Sequence, residues 1–253
     1  MTVRELYRLM NEKIPGALSC EWDNDGLLCC PDGEREVRRV LVALDVTEEV
    51  VSRAIEGGFD LILSHHPMIF KGLKAVNDES PAAAKAIRLI RAGISVMSFH
   101  TRLDALVGGV NDCLAARLGL LDAVPFGGEG LGRIGTLPTP MSAEAFARFL
   151  KEKLNAPSVV FADAGKSVSR VAVLGGAGED EIGEAMAAGA DSYVTGEAKY
   201  HILTDAPEEG INLFAAGHYY TEFPVCGALC RMIQAIDASL SCEIVDFTAL
   251  RVI

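Results

Sequence analysis

The feature that most constrains the fold is a strand–helix–strand pattern in the first quarter of the chain. Residues 39–64, RVLVALDVTEEVVSRAIEGGFDLILS, contain a β-branched apolar run, a helical segment and a second short apolar run. Thr47 can cap the helix, because threonine accepts hydrogen bonds from the first backbone N–H groups, and Gly57 and Gly58 can end it. Short apolar runs without alternation are typical of strands covered on both faces. The pattern predicts a βαβ unit.

The same pattern occurs a second time. Shifting the sequence by 131 positions, without a gap, aligns the first unit with residues 170–195, RVAVLGGAGEDEIGEAMAAGADSYVT. Arg39 then aligns with Arg170, and Asp60 aligns with Asp191. Self-similarity at a fixed offset indicates an internal duplication, or at least a repeated architecture. We therefore predict an α/β protein with two similar α/β domains, mixed sheets and flanking helices.

The similarity of the two halves continues after a small change of offset. At an offset of 118, His100 in GISVMSFHTRLD aligns with His218 in GINLFAAGHYYTE, and Asp104 aligns with Glu222. Each half therefore has the pattern His-x-x-x-Asp/Glu after a further predicted strand and before a predicted helix.

Glycines and prolines between the halves predict a domain boundary. Residues 121–140 include PFGGEGLGRIGTLPTP, a composition typical of turns, and residues 141–156 return to a helical period. We expect a first domain over 1–124, with 225–253 as a candidate to complete it, and a second domain over 125–253.

Charge and cysteine content exclude several classes of protein. The net charge of −12 disfavours nucleic acid and anionic membranes as partners. The first residues lack the features of a signal peptide, and no apolar segment is long enough to span a bilayer, so a cytoplasmic protein is expected. The seven cysteines contain no C-x-x-C pair and are expected to be reduced, with Cys226 and Cys230 facing the core of a helical layer.

Histidines follow the predicted strands. His65 and His66 follow the strand that ends the first βαβ unit, His100 and His218 follow later strands, and His201 lies a few residues beyond another. In open α/β sheets the carboxyl ends of strands are where ligands bind. This placement indicates a functional site.

Five of the side chains near these strand ends form a candidate metal-binding set. Imidazole and carboxylate are ligands for Zn, Fe, Mn and similar divalent ions. Any one of these residues alone could instead have a structural role, such as an acid at a helix start. Together they are too many for one open catalytic zinc, and they suit two ions bridged by a carboxylate. The predicted metal ligands are His65, His66, Asp104, His218 and Glu222.

Several segments, taken in order, also carry a resemblance to a known family. They are EWDNDGLL (21–28), LSHHPMIFKGLK (63–74), HTRLDALVGGVNDCLAARLGL (100–120), DSYVTGEAKYH (191–201) and AAGHYYTE (215–222). Through them the chain resembles the GTP cyclohydrolase 1 type 2 homologues, also called Nif-three-like or YbgI-like proteins. The resemblance covers nearly the whole chain and matches the short form, without the domain that some relatives insert.

The resemblance carries further expectations. It implies that the five predicted ligands hold a dinuclear metal centre in a cleft between two α/β domains, with Glu222 as the bridge and His100 beside the metals. It also implies a ring-shaped homohexamer. Arg102 departs from the small or amide residue that relatives often carry, and we expect it to alter the charge at the rim of the site.

Two functional hypotheses follow. The first is a metal-dependent hydrolase acting on a nucleotide or another phosphorylated small molecule, because two divalent cations near two carboxylates attract an anionic substrate. The second is a metal-binding or regulatory assembly protein without turnover. His100, Glu197 and His201 are the candidates for catalytic roles, with Glu197 as a base or a partner of a ligand and His201 as a substrate contact. An ordinary surface ion pair is the competing interpretation for Glu197.

Some sequence features allow both a structural and a functional interpretation. Either Trp22 packs over an Asp-Gly turn, or Trp22, Asp23 or Asn24 lines the cleft, as the family motif implies. Lys71 and Lys74 either lie in a solvated loop or flank an anion. Gly175–Gly178 favours a plain strand-to-helix turn over a phosphate loop, since it lacks the lysine of a P-loop. Pro67 ends the strand before it, so His65 and His66 can leave the pleat. We predict that they ligate different ions.

Overall fold

A computed structural model describes residues 1–128 and 130–253. The helices in this part of the chain are α1 (Val3–Lys13), α2 (Glu48–Glu56), α3 (Pro81–Ala92), α4 (Thr101–Ala105), α5 (Val110–Leu118), α6 (Ala143–Leu154), α7 (Ile182–Ala187), α8 (Tyr200–Glu209), α9 (His218–Glu222) and α10 (Val225–Ile236). The strands are β1 (Gly26–Cys29), β2 (Arg39–Ala43), β3 (Leu61–Ser64), β4 (Ser95–Ser98), β5 (Leu121–Phe126), β6 (Gly132–Met141), β7 (Val160–Ala162), β8 (Val168–Leu174), β9 (Ser192–Thr195), β10 (Asn212–Ala215) and β11 (Ser241–Val245).

The chain forms two compact units. Unit 1 contains residues 1–103 and 226–247, and unit 2 contains residues 104–225 and 248–253. Each unit has one mixed sheet with helices packed on it. The predicted α/β class, with two mixed sheets and flanking helices, is therefore confirmed, and the internal duplication stays a prediction.

The sheet of unit 1 has the strand order β1-β4-β3-β2-β11. Strands β4, β3, β2 and β11 are parallel, and β1 pairs antiparallel with β4 at one edge. The central strands are buried, and their apolar side chains form one core cluster that includes Leu41, Ile62 and Val96 with Val50 from α2 and Leu89 from α3. The run of residues between β2 and β3 forms the predicted βαβ unit.

Local sequence signals set the helix ends of unit 1. The Thr47 side chain accepts a hydrogen bond from the Val50 N–H at 3.2 Å, which caps α2 as predicted. At α1, Thr2 and Glu5 form a reciprocal capping box. Helix α3 ends at Gly93, whose φ of 70° is the left-handed conformation that glycine adopts without a steric penalty.

The sheet of unit 2 has the strand order β5-β6-β8-β9-β10-β7. Strands β8, β9 and β10 are parallel, whereas β5, β6 and β7 pair antiparallel with their neighbours. Helix α6 begins after Ser142, which caps it as its sequence indicates, and buries Phe146 against Phe214 of β10 with the ring centroids 4.9 Å apart. The apolar face of α6 thus covers the sheet.

The segment predicted as a turn-rich boundary is part of this sheet. Residues 121–140 include β5 and most of β6, which pair antiparallel. Pro125 is accommodated because β5 is an edge strand, where a missing N–H leaves no ladder bond unmade. Pro138 and Pro140 lie where the register between β6 and β8 shifts. The prolines of this segment therefore lie in an edge strand and at a register shift of the sheet.

The expectation of reduced cysteines was wrong for one pair. Cys230 of α10 and Cys242 of β11 form a disulfide, with their Cα atoms 5.9 Å apart. Because the two residues are 12 positions apart in sequence, only the packing of the helix on the neighbouring strand reveals the pairing. Cys29 is buried, and burial raises the pKa of its thiol to about 11.

The longest helices in the described part of the chain, α3, α6 and α10, have 12 residues each. A helix needs about 20 apolar residues to cross the hydrocarbon core of a bilayer. Among the described residues, no helix has the length and apolar character of a membrane span.

Candidate metal centre

Three histidines meet at the carboxyl ends of β3 and β4 in unit 1. Ring nitrogens of His65, His66 and His100 lie within 4.8 Å of one another. The rings of the adjacent pair His65 and His66 have centroids 4.8 Å apart and are tilted by 42°. Strand β3 ends at Ser64, so the two neighbours do not alternate across a pleat. Both imidazoles therefore serve one cluster.

Hydrogen bonds fix the orientation of the first two rings. The Nδ1 of His65 lies 3.0 Å from the Phe99 carbonyl oxygen, which can only accept, so Nδ1 carries the proton. The Nδ1 of His66 lies 2.7 Å from Oδ1 of Asp45, directly beyond β2. In both rings this tautomer leaves the lone pair on Nε2, the arrangement found when histidine binds a metal.

His100 is held by a buried carboxylate. Its Nδ1 lies 2.9 Å from Oδ1 of Asp23, whose other oxygen accepts from the N–H and the hydroxyl of Thr101. Burial alone would raise the pKa of the Asp23 carboxyl, but the hydrogen bonds from His100 and Thr101 outweigh it and hold this pKa well below its usual range. Asp23 is therefore an ionised acceptor, and the lone pair of His100 is on Nε2.

A second cluster of donors lies in unit 2. His218 and Glu222 are four positions apart on α9, so they share one helix face, and Nε2 of His218 lies 3.1 Å from Oε2 of Glu222. Glu222 is 5% exposed. The Nδ1 of His218 lies 3.1 Å from Oε1 of Glu197, and a carboxylate oxygen of Asp104 lies within 4.8 Å of one of Glu222.

Two glycines make room for the α9 donors. Gly176 has a φ of 68°, and a Cβ there would overlap Oε1 of Glu222. A Cβ at Gly196 would lie 2.5 Å from the Gly176 carbonyl oxygen and 2.7 Å from Cα of His218. The Gly175–Gly178 segment is a strand-to-helix turn that lies against α9, and the absence of side chains at Gly175 and Gly176 admits the imidazole and the carboxylate.

The remaining predicted residues lie in different surroundings. The Glu197 side chain is 61% exposed and accepts the hydrogen bond from His218. His201 is exposed on the first turn of α8. Among the described residues, the donor groups that approach one another to within 4.8 Å do not include His201.

Arg102 does not lie at the rim of the site as expected. It is 2% exposed, and its guanidinium donates to Asp25 Oδ2 at 2.8 Å and to Asn11 Oδ1 at 2.7 Å. The same group stands over the Phe99 ring. Its charge is therefore neutralised inside unit 1, because the long side chain reaches α1 from α4.

Of the two carboxylates that orient histidines in unit 1, Asp45 was not among the predicted site residues, and Asp23 was considered only as a residue that could line the cleft. Asp45 follows the carboxyl end of β2, so the rule that selected the histidines would have selected it as well. Asp23 lies in a turn before β1, and only the tertiary fold brings it to His100.

The donor chemistry fits a divalent transition-metal ion. His65 and His66 have Nδ1 at a hydrogen-bond acceptor, which places the lone pair on Nε2. The imidazole of His218 lies between two carboxylates, with Nδ1 3.1 Å from Glu197 and Nε2 3.1 Å from Glu222. Two ligands bound at about 2.1 Å to one tetrahedral ion lie about 3.4 Å apart, close to the 3.1 Å between the donors of His218 and Glu222. The protein thus has His and Glu groups that could bind a metal.

Comparisons with known proteins match nearly the whole chain. The family model Duf34/NIF3 (NGG1p interacting factor 3) matches residues 1–249. The chain is similar to a GTP cyclohydrolase 1 type 2 homolog of Clostridium perfringens, with 33% identity over 232 residues that cover 89% of this chain and 88% of the relative. A relative of the same name from Nostoc is 35% identical over 209 residues, 80% of each chain.

Solved structures match over the whole chain. The crystal structure of Staphylococcus aureus hypothetical protein SA1388 has a TM-score of 0.91 and 30% identity, and it covers 100% of this chain and 99% of its own. A Bacillus cereus protein related to NIF3 has a TM-score of 0.89 and 26% identity with the same coverage. The match to a Bacillus subtilis relative runs over 328 residues, longer than this chain of 253, so that relative carries additional residues inside the matched region.

Proposed function

This chain belongs to the Duf34/NIF3 family, and on that premise we propose that it is a metal-dependent hydrolase with two divalent ions per chain. The proposed ligands are His65, His66, Asp104, His218 and Glu222. The observation that carries the proposal is that fixed acceptors hold Nδ1 of His65 and His66, so the lone pair of each imidazole is on Nε2, the tautomer found when histidine binds a metal. Zn, Fe and Mn suit this set of nitrogen and carboxylate ligands.

In the proposal, His65 and His66 ligate different ions, and Glu222 bridges the two. The support is that different neighbours orient the adjacent rings: a backbone carbonyl at the end of β4 holds His65, whereas the carboxylate of Asp45 holds His66. The two rings are therefore tilted and need not present their Nε2 atoms to the same point.

The charge of such a centre favours an anionic substrate. Two divalent cations would carry more charge than the two ligand carboxylates, so an anionic group of a substrate could bind to the ions directly within a protein of net charge −12. We propose a nucleotide or another phosphorylated small molecule as the substrate. When bound, the ions lower the pKa of a water molecule and polarise a substrate oxygen.

His100 is the proposed general base. Its Nε2 can accept a proton, and the ionised Asp23 beside Nδ1 both fixes the ring and stabilises the imidazolium that forms. Glu197 has the supporting role of orienting His218 through Nδ1. His201, exposed on α8, is proposed as a contact for the substrate.

Elemental analysis of the protein tests the metal proposal. After expression with sufficient metal, the wild type is expected to contain close to two transition-metal ions per chain. His65→Ala and Glu222→Ala should each lose at least half of this content, whereas His201→Ala, which removes an exposed histidine, should keep it. Less than one ion in the wild type would contradict the proposal.

Hydrolysis of a panel of nucleotides and phosphoesters tests the reaction. Turnover should be lost in His65→Ala and Glu222→Ala and reduced about a hundred-fold in His100→Ala, as expected for removal of a general base. Two bound ions without turnover on any substrate would instead favour a metal-binding or regulatory protein. Unchanged turnover in metal-free protein would exclude the hydrolase mechanism.

We also propose a homohexamer, which the family resemblance implies. Light scattering coupled to size-exclusion chromatography should then give a mass about six times the 26.9 kDa of one chain. A monomer mass at micromolar concentration would contradict this part of the proposal.

A further inference from the structure

Three aromatic rings form an exposed corner beside the histidines of unit 1. The ring centroids of Trp22 and Phe70 are 6.0 Å apart, those of Trp22 and His100 are 6.2 Å apart, and those of Phe70 and His100 are 6.0 Å apart. The three pairs meet edge to face, at angles of 69°, 77° and 88°. Trp22 is 64% exposed and Phe70 is 45% exposed. Aromatic faces are thus open to solvent next to the proposed base.

The corner is held in place although its rings are exposed. Trp22 lies in a turn closed by the Asp23 N–H and the Cys20 carbonyl at 3.0 Å, and the Asp23 carboxylate is buried against His100. The Asn24 side chain donates to the Ile69 carbonyl, which joins this turn to the residue before Phe70. A rigid, exposed pair of aromatic rings loses little conformational entropy when a ligand binds.

Two features indicate a small planar ligand. Two aromatic side chains are too few for a stable protein interface, but they suffice for one planar ring, which can stack on the face of one and meet the other edge to face. Stacking accepts any base because every base has a π-face. The exposed Lys71, which directly follows Phe70, adds a positive charge for an anionic group on the same ligand.

We infer that Trp22 and Phe70, together with the edge of His100, bind the planar heteroaromatic ring of a nucleotide-type ligand. The inference rests on the proposed function, since it places the ring beside the residues proposed to act on the rest of the molecule. It narrows the substrate class from phosphorylated small molecules in general to those with a nucleobase-like ring.

The chain contains a single tryptophan, so its fluorescence reports this corner alone. GTP, ATP and guanosine, titrated into the protein, are expected to quench Trp22 fluorescence with saturation. Ribose 5-phosphate and inorganic triphosphate, which lack the ring, are expected to leave the emission unchanged. The titrations are run on metal-loaded protein and again after chelation, so ring binding is measured separately from metal binding.

Variants test whether stacking is responsible. Phe70→Ala should weaken guanosine and GTP binding about ten-fold, because a base typically loses about this much affinity when an aromatic side chain in contact with it is removed. Phe70→Tyr should restore the affinity, and Val76→Ala, which removes an exposed apolar side chain from the same loop, should not change it. Calorimetry with Trp22→Ala and Trp22→Phe, whose fluorescence is silent, should give a similar loss and a similar rescue.

The outcomes separate this inference from the proposed function. Saturable quenching by guanosine in metal-free protein that depends on Phe70 supports ring binding even if no metal or turnover is found. The absence of quenching by all three ring compounds, or equal affinity in wild type and Phe70→Ala, overturns it. So does hydrolysis of ribose 5-phosphate and GTP with equal kcat/KM, a result that would leave the hydrolase proposal standing.

Discussion

The βαβ regions of the two units share one backbone frame, the pairing of their two parallel strands, but have different residues at the positions of the candidate site. In the first, Leu41 pairs with Ile62 across β2 and β3; in the second, Ala172 pairs with Tyr193 across β8 and β9, and each position is offset by 131. The other pairs of the two ladders keep the same offset. The frame is therefore reproduced residue by residue.

In both βαβ regions, an aspartate just before the second strand accepts hydrogen bonds from backbone N–H groups near the start of the first strand. Asp60 accepts from the N–H groups of Arg38 and Arg39, and Asp191 accepts from those of Ser169 and Arg170. In each case the N–H of the aspartate donates in turn to the carbonyl of the arginine, at 3.0 Å. This contact fixes the amino end of the paired strands, away from the donors at their carboxyl ends.

At the carboxyl ends the two frames differ at every site position. His65 corresponds to Gly196, and Asp45, which orients His66, corresponds to Gly176. In unit 1 the strand end supplies the nitrogen donors. In unit 2 glycines stand at the equivalents of His65 and Asp45, where a Cβ would meet atoms of His218 and Glu222 of α9, and Glu197, the equivalent of His66, faces His218. The comparison shows that the same backbone frame can have its candidate metal ligands on different elements. Where the ligands come from a neighbouring helix, as in unit 2, glycines at the strand ends leave room for them.

The largest expected effect comes from adding a side chain at Gly196, which lies against α9. Gly196→Ala should lower the free energy of unfolding by about 3 kcal/mol, because its Cβ meets backbone atoms that cannot rotate away. Urea denaturation measures this change. Gly183→Ala on α7, where a Cβ meets nothing within 4 Å, is the control and should be neutral or slightly stabilising. Equal stability of the two variants would show that the glycine at 196 is incidental.

A smaller effect is expected from the carboxylates that orient histidines in the two units. Asp45→Asn and Glu197→Gln should each weaken metal binding between about 10- and 100-fold, because they remove the charge behind a ligand imidazole. The loss should be larger for Asp45, whose oxygen is 2.7 Å from Nδ1 and whose side chain is 43% exposed, against 3.1 Å and 61% for Glu197. Competition with a chromogenic chelator measures the affinities.

The control for these affinities is Glu144→Gln, an exposed glutamate paired with Arg148 on α6, which should bind metal as the wild type does. If both site variants also bound metal with unchanged affinity, the two carboxylates would have no part in orienting ligands, and the proposed division of roles between the units would be wrong.

The next largest effect is expected on stability, from the aspartates that occupy equivalent positions in the two units, Asp60 and Asp191. Asp60→Asn should cost about 2 kcal/mol at neutral pH, because a charged acceptor is lost from two backbone N–H groups and Arg35. Asp191→Asn should cost less, since its described contacts are to backbone N–H groups and the Ser192 hydroxyl. A greater cost at Asp191 would contradict the ranking.

The effect at Asp60 should depend on pH. Burial alone would raise the pKa of the Asp60 carboxyl, but the hydrogen bonds from Arg38, Arg39 and Arg35 outweigh it, so the pKa is lower in the folded state than in the unfolded state. The stabilisation is then complete above the unfolded value of about 4 and is lost as the pH falls through the folded value. Urea melts of wild type and Asp60→Asn should therefore converge below about pH 4.

The smallest expected effect concerns the helix start. Thr47 caps α2, whereas Gly178 stands at the equivalent position before a 3₁₀ turn and has no side-chain cap. Thr47→Gly should lower the free energy of unfolding by only a few tenths of a kcal/mol, and Thr47→Ala by about 1 kcal/mol. Thermal denaturation of the two variants, run side by side, measures the order; the reverse order would show that the threonine does not act as a cap.

The sequence predicted the elements that local patterns define. The ends of α2 and α6 lie within two residues of the predicted positions, because caps, glycine stops and apolar periodicity are local. The parallel βαβ units followed from the same patterns. The pairing of β5 with β6 was missed, since glycine and proline mark an irregular edge strand as readily as a linker.

For the site, the sequence predicted the histidines from their positions after strands and the carboxylates from the His-x-x-x-Asp/Glu pattern, and their role as metal ligands stays a prediction. It did not identify Asp23 as the partner of His100, because 77 positions separate them and only packing brings them together. The buried state of Arg102 was missed for the same reason: its partner Asp25 is equally distant in the chain. Contacts between distant segments follow from the fold and not from spacing.

The pairing of β11 with β2 determines the order in which the two sheets can be completed. Strand β2 spans Arg39–Ala43, and its neighbour β11 spans Ser241–Val245, so the sheet of unit 1 gains its last strand long after β2 has been synthesised. The described strands of the unit 2 sheet lie within residues 121–215 and leave the ribosome before β11. During translation, β2 therefore has an open edge while the sheet of unit 2 can already form, and an unpaired edge is a site where a nascent chain can associate wrongly.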